Sequence, residues 1–378
     1  VPGTREPLGP DVPDADVARM AAEIGFPILI KAVSGGGGKG MRTVTDPADL
    51  ASALRAARSE ALSAFGDPSV YIERRVMRPR HIEIQLLGDH HGTVIPFVER
   101  ECSIQRRHQK VVEESPSLQV TPETRRALAA AAAAVAKGVG YTNAGTIEFL
   151  LDESGEFFFL EMNTRLQVEH PVTELVTLTD LVHWQLRIAR GERLDLDPDE
   201  MLKPKGHAIE CRIYAEDPDS GFLPSPGRVT AMRVPAGPGI RRDDSGAVAG
   251  SDVPMFYDPL IAKLSAWATD RPMAIARMAR ALREYDVRGI KTTIPFFRWL
   301  LSDPDFQAGR FDTTFIDRVL AARDGAPFQE VPSDEAHLAL VAAAVQATQQ
   351  ANSAERSTAS SSVASSRWRQ HARMQGLR

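Results

Sequence analysis

Apolar residues recur at helical spacing through residues 14 to 25 (Val17, Met20, Ala21, Ile24), and Gly25 ends the run. Pro27 to Val33 is apolar except for Lys31 and predicts a strand; glycines follow, then a second extended stretch, Met41 to Val44. Residues 47 to 64 return to helical spacing behind Asp46-Pro47, whose proline suits a first turn, and Val70 to Arg75 is extended again. His81 to Leu87 alternates like a half-buried strand, and Pro122 to Gly138 is an alanine-rich helix with Thr121 as its N-cap. Gly145 to Leu151 and Glu156 to Met162 flank Asp152-Glu153-Ser154-Gly155, a hairpin signal. Beyond Pro204 the pattern is strand-rich to about Ala268, then helical at Pro272 to Tyr285 and Ile294 to Leu301. Asp334 to Gln350 predicts one more helix, and the serine and alanine run from Asn352 to Ser366 reads as a linker.

Composition narrows the class. The 378 residues suffice for two or three domains, and 43 % hydrophobic with 25 % charged residues supports a real core. No apolar run approaches the roughly 20 residues that cross a bilayer. A net charge of −5 gives no overall pull toward nucleic acid. Only Cys102 and Cys211 occur, too few for a disulfide framework or a zinc site, which points to a reducing cytosol. The chain begins Val1-Pro2-Gly3-Thr4, with no targeting signal, and reads as a fragment.

Candidate chemistry gathers in three places. Gly35-Gly36-Gly37-Gly38-Lys39-Gly40 fits G-x-G-x-x-G, but Met41 to Val44 continues as a strand where a dinucleotide fingerprint needs a helix. Two readings stay open: a flap whose amides close over phosphates, or a surface hairpin. Lys31, an ammonium in an apolar strand, favours the flap, because it needs an anion. In the second place, a four-residue loop pairing Leu151 with Glu156 sets Glu148 opposite Phe159, on one face with Glu161 and Asn163. Two carboxylates there repel unless protonated, exposed or bridged by a cation, and magnesium holding ATP phosphates is the economical bridge. Thr164-Arg165-Leu166-Gln167-Val168-Glu169-His170 follows at the strand end, where chemistry tends to lie. Third is the basic cluster Gln105 to Lys110, which lacks the interleaved aromatics of a single-strand nucleic-acid binder.

The strings KAVSGGGGKGM, RHIEIQLLGD, ECSIQRRHQKVVEESPS, GTIEFL, FLEMNTRLQVEHPVTE and HAIECRIYAEDP together resemble the biotin carboxylase component of biotin-dependent carboxylases, over approximately residues 1 to 321. The resemblance implies an α+β fold: an ATP-grasp flap subdomain (1–75), a central nucleotide-binding subdomain (76–203) and a β-rich C-terminal domain (204–322), with 323–378 leading toward a further domain. It implies ATP-dependent carboxylation of biotin with bicarbonate through carboxyphosphate. By carry-over, Lys31, Gly35, Gly36, Gly37, Gly38, Lys39, Glu73, Arg75, Val76, His81, Gln105 and His108 serve ATP. Glu148, Glu161 and Asn163 bind magnesium or manganese. Lys110, Arg165, Gln167 and Val168 hold bicarbonate, Glu169 is its base, and Arg212 stabilises the biotin enolate.

The sequence departs from the family at Ser34, where a glycine is usual, and lacks the α/β domain that precedes the ATP-grasp part, so the chain alone is expected to be impaired. No Met-Lys-Met motif occurs, which places the biotin carrier elsewhere. The implied partners are a carrier domain and a carboxyltransferase subunit, in an oligomeric carboxylase of the acyl-CoA type, with pyruvate carboxylase as the sibling and a non-catalytic nucleotide-binding or docking module as the third reading.

Overall fold

A computed structural model describes residues 1–35, 40–244, 246–329 and 337–349. Two compact units result, Val1–Phe328 and Gln329–Arg378. In the second, 337–349 is an exposed helix, and the predicted linker at 352–366 lies outside the described residues.

The first unit opens with a small lobe. Helix α1 (Asp14–Ile24) and helix α2 (Leu50–Phe65) cover the antiparallel strands β1 (Ile28–Ala32), β2 (Met41–Val44) and β3 (Val70–Arg74), with β1 in the middle. Their helical faces, Val17 and Ala21 on one and Leu50, Leu54 and Ala57 on the other, meet Ile28, Ile30 and Ile72 from the sheet. The predicted helix start at Pro47 is a single tighter turn, Pro47–Asp49, begun where Asp46 accepts the Ala48 amide.

The rest of the unit is built on an antiparallel sheet of nine strands among the described residues. Its chain order is β4 (Arg80–Gly88), β5 (Val94–Pro96), β6 (Arg100–Arg106), β7 (Gln109–Ser115), β8 (Asn143–Leu151), β9 (Phe157–Asn163), β10 (His207–Tyr214), Ile240–Asp244 and Leu260–Ala268. The sheet continues across residue 204, because β10 pairs with both β7 and Leu260–Ala268. Helix α3 (Pro122–Gly138), capped by Thr121, lays Leu128, Ala132 and Ala136 over Ile82, Ile84 and Ile147. Phe328 packs on Phe222, Phe296 and Trp299, so the unit extends to that residue.

Two expectations about this sheet need correction. β4 is not half-solvated: its polar residues His81, Glu83 and Gln85 are as buried as its apolar ones, because a second layer covers that face too. The β8–β9 register also differs. The turn closes with the Asp152 amide donating to Glu156 O, so Leu151 pairs with Phe157, and Phe159 faces Phe149 rather than Glu148. A bulge at Leu160 then sets Glu148 directly opposite Glu161, which restores the shared face by another route.

Candidate functional site

The covered polar face of the sheet carries an ion network. β4 contributes His81, Glu83 and Gln85; β6 Arg100; β7 Lys110 and Glu113; β8 Thr146 and Glu148; and β10 Glu210 and Arg212. The segment after β9 and helix α4 (His170–Thr177) close over it, bringing Gln167, Glu169 and Thr173. Lys110 Nζ donates to Glu148 Oε1 and Glu169 Oε1, each at 2.8 Å, and to Glu83. Arg212 donates from Nε to Glu113 Oε1 (2.6 Å) and from Nη2 to Glu169 Oε2 (3.0 Å). Fully buried Arg100 braces the layers, donating to Glu83, Gln85, Thr146, Gln167 and Thr173. Gln167 passes the linkage on by donating to Glu148 Oε1 at 2.9 Å.

These contacts set the charges. Burial and the neighbouring Glu83 push the Glu169 pKa up, but Lys110, Arg212 and Arg100 hold it below the usual carboxylate value. Burial works to lower the His81 pKa, yet Glu148 and Glu83 hold it up at about 9. Its Nε2 lies 3.1 Å from Glu83 and 3.2 Å from Glu148, split between them without a linear hydrogen bond to either. The site thus holds an ionised base under three cations.

The sequence-derived candidates fall into three groups. His81, Lys110, Glu148, Gln167, Glu169 and Arg212 come together in the network. Asn163 joins by donating Nδ2 to Glu148 at 2.9 Å, and Glu161 faces Glu148 from the more open side. Val168 offers its carbonyl to Lys263 Nζ at 2.8 Å, and the Gln105 amide is turned to Cys102 O. Arg165 is exposed and bonds only its neighbour's carbonyl at Leu166, so the structure does not bring it to Glu169. His108 sits with Arg107 in the two-residue β6–β7 turn, both with positive φ, as a tight hairpin turn requires.

In the lobe, Lys31 meets the Glu73 carboxylate at 2.5 Å, so the protein itself supplies an anion to this ammonium. The Arg75 amide donates to Pro27 O and the Gly35 amide to Ala32 O; Val76 follows the end of β3. Gly36, Gly37, Gly38 and Lys39 lie outside the described residues. The carboxylates nearest Arg212 in the chain are engaged elsewhere: Glu216 accepts from Arg106 and Glu210 from Ser265.

Sequence reasoning missed Glu83, Arg100, Glu113 and Glu210. The available signal was four charges at inward parity in strands otherwise too apolar to face water.

A divalent cation fits at Glu148 and Glu161. Burial raises the Glu161 pKa and facing Glu148 raises it further, so a cation between the two carboxylates would relieve their repulsion. Asn163, whose Nδ2 is engaged, has Oδ1 to add, giving the all-oxygen set a hard cation prefers. Two other groups hold ligand-type atoms within 4.8 Å of one another, His81–Glu83–Glu148 and Glu83–Cys102–Glu169, but the Lys110 ammonium already neutralises both.

A small three-stranded lobe followed by an ion-lined antiparallel sheet is the architecture of an ATP-grasp protein. Residues 3–197 match the family described as carbamoyl-phosphate synthase L chain, ATP binding domain, and residues 210–318 match the biotin carboxylase C-terminal domain. Over 300 residues the chain is 51 % identical to a biotin carboxylase of Nostoc sp., covering 79 % of this chain and 67 % of that protein. It is 47 % identical over 308 residues to the alpha chain of mouse (Mus musculus) methylcrotonoyl-CoA carboxylase, covering 82 % of this chain and 43 % of that protein. The solved biotin carboxylase of Campylobacter jejuni in complex with β-γ-ATP superposes with a TM-score of 0.79 at 45 % identity, covering 84 % of this chain and 70 % of that one. The biotin carboxylase domain of the Hydrogenobacter thermophilus 2-oxoglutarate carboxylase, solved with MgADP, ADP and bicarbonate, gives 0.80 at 44 %, covering 88 % and 71 %. This chain belongs to the biotin carboxylase family.

Proposed function

We propose that this chain carries the ATP-dependent carboxylation of biotin, and that Lys110, Glu169 and Arg212 are its working centre. The observation that carries the reading is Glu169 itself: an ionised carboxylate at the mouth of α4, held by two cations that an incoming anion can take over. Bicarbonate brings negative oxygens to Lys110 and Arg212. Each cation it engages is withdrawn from Glu169, whose proton affinity rises as the substrate binds. The base is thus activated by the substrate it deprotonates. The bicarbonate oxygen attacks the γ-phosphorus of ATP, ADP leaves, and the carboxyphosphate formed releases CO2 and phosphate beside biotin. The released phosphate takes the proton of the ureido nitrogen, negative charge grows on the ureido oxygen, where the permanent guanidinium charge of Arg212, fixed in advance by Glu113, meets it, and the nitrogen then attacks CO2 to form carboxybiotin.

Glu148, Glu161 and Asn163 would hold magnesium, which supplies charge neutralisation to the ATP phosphates. Lys31, Gly35, Gly36, Gly37, Gly38, Lys39, Glu73, Arg75, Val76, His81, Gln105 and His108 would line the nucleotide. Residues 1–75, 76–203 and 204–322 would act as flap, central and C-terminal parts. Arg165 reaches bicarbonate only after turning inward from its exposed position.

A carrier bearing biotin and a carboxyltransferase complete the enzyme, in a cytoplasmic setting that two buried free thiols suit. Among the described residues no helix is long and apolar enough to cross a membrane. The final acceptor is an acyl-CoA, as the name of the mouse relative suggests; pyruvate is the alternative raised by a pyruvate carboxylase component from the archaeon Methanothermobacter thermautotrophicus, 49 % identical over 335 residues.

Labelled bicarbonate incubated with MgATP, biotin and the whole protein carrying this chain should yield labelled carboxybiotin. No label in biotin while MgATP is bound and hydrolysed would refute the reading.

A further inference from the structure

Arg212 has a second carboxylate besides Glu169, and that carboxylate has a companion. Glu113 on β7 stands directly opposite Glu210 on β10, and both side chains are completely buried. Directly opposed strand residues have Cβ atoms about 5 Å apart. Glu113 Oε1 accepts from Arg212 and Glu210 Oε2 from Ser265, yet Glu113 Oε2 and Glu210 Oε1 are buried without any hydrogen-bond partner.

The surrounding charges do not balance two carboxylates. Glu113 faces Arg212, Lys110, Glu169 and Tyr214; Glu210 faces Arg212, Lys263 and Ser265; and the thiols of Cys102 and of Cys211, next to Glu210 in the chain, are held neutral by burial. Lys110 is engaged by Glu83, Glu148 and Glu169, and Lys263 by Val168 O and by Asp243 at 3.5 Å. Among the described cations only Arg212 bonds either carboxylate, at Glu113, and Glu169 already draws on it. Two orphaned oxygens and one missing positive charge have a single remedy, one proton held between the carboxyl groups.

We propose that Glu113 and Glu210 share a single proton and act as a positioning pair for Arg212, holding its Nε edge as one monoanion and leaving its Nη edge for Glu169 and substrate. The inference rests, for its catalytic part, on the function proposed above. Burial, with Glu169 adding to it, raises Glu113 to about 7, and burial with facing Glu113 raises Glu210 to about 8, so the pair loses its proton on the alkaline side of neutrality. The second negative charge then draws Arg212 back toward the strands, and biotin-dependent turnover declines.

The test has two readouts. Infrared spectroscopy of this chain without substrates should show a protonated-carboxyl band at pH 7 that fades above about pH 8. Glu210→Gln, which keeps a neutral hydrogen-bonding group opposite Glu113, should remove one carboxyl equivalent from that band while the protein stays folded. Identical bands in the two proteins overturn the shared proton, whatever the chain catalyses.

In the whole protein, Glu113→Gln should lower biotin-dependent turnover about ten- to hundred-fold, the scale of losing a partner that orients a working group. Glu210→Gln should move the alkaline limb of the pH profile upward. A merely structural pair would lower stability and leave that limb in place, and that result overturns the positioning role. Absence of any biotin-dependent turnover in the wild type counts against the proposed function, and the infrared result still decides the proton.

Discussion

Lys110 shows how much one side chain carries. Three carboxylates, Glu83, Glu148 and Glu169, converge on a single ammonium, and burial alone would strip its proton had they not held it well above its ordinary pKa. Breaking a buried ion cluster from one side strands the other partners. Lys110→Met should therefore cost about 3 kcal/mol of stability, read as a lower urea midpoint; an unchanged midpoint would show the three carboxylates to be protonated or hydrated already.

The pH dependence of stability follows from the same residues. His81, raised from 6.5 to about 9, stabilises the fold fully below pH 6.5 and loses that contribution as the pH climbs through 9. The Glu113–Glu210 pair, its members raised from 4.5 to about 7 and about 8, holds its shared proton in the folded state where the unfolded chain has released it, so stability falls over that window as well. Glu114 runs the other way: burial opposes it, but His207 and Arg271 hold it at about 2, and its contribution disappears as the pH drops from 4.5 toward that value. Melting temperature should peak at about pH 5 and decline from pH 6.5 to 9, more steeply in the wild type than in His81→Gln. A flat profile above neutrality contradicts the protonated imidazole.

At the scale of elements, the Leu160 bulge decides whether Glu148 and Glu161, the proposed magnesium ligands, share a face. Uninterrupted pairing from Leu151 and Phe157 sets Phe159 on the face of Phe149, and the extra residue flips the parity so that Glu161 joins Glu148. Deleting Leu160 should straighten the strand and keep Glu161 opposite Glu148, whereas inserting one alanine after Leu160 should move Glu161 opposite Ile147, on the other face. Magnesium-dependent nucleotide affinity should then fall in the insertion variant as far as in Glu161→Gln, measured by calorimetry with and without magnesium. If the insertion leaves that affinity intact while Glu161→Gln reduces it, the register argument is wrong.

The elements also show what the chain's pattern reveals. Period-2 alternation located β4 and β8, and turn residues located their connections, because those signals are local. The bulge is not local: nothing in Phe157-Phe158-Phe159-Leu160 marks it, and it exists because Glu148 and Glu161 both belong on the ion-lined face. Alternation in HIEIQ could not reveal that the polar side is covered as well, since the cover, Gln167 to Thr173, lies some eighty residues away in the chain. Glu83 and Arg100 stayed hidden for that reason, whereas Glu169 and Arg212 were legible only through their resemblance strings. Lys31 was read correctly as needing an anion, but its partner Glu73 sits on the neighbouring strand, a pairing that only β1–β3 registration supplies.

The whole molecule joins two tasks on one sheet. On the function proposed above, phosphate chemistry would belong to the β4, β8 and β9 end with the small lobe and acceptor chemistry to the β10 end with Arg212, and Glu169 links the two ends through Lys110 and Arg212. The separation makes the two steps dissectible. Arg212→Ala should abolish most of the transfer to biotin, a loss of about 10² to 10³ in rate, while leaving MgATP affinity nearly intact.

The most direct measurement is ADP release by the whole protein with MgATP and bicarbonate, followed with and without biotin in the wild type and in Arg212→Ala. The account predicts release that needs bicarbonate, rises with biotin in the wild type, and no longer responds to biotin in the mutant although nucleotide still binds. Biotin stimulation of equal size in both proteins, per folded molecule, would contradict it.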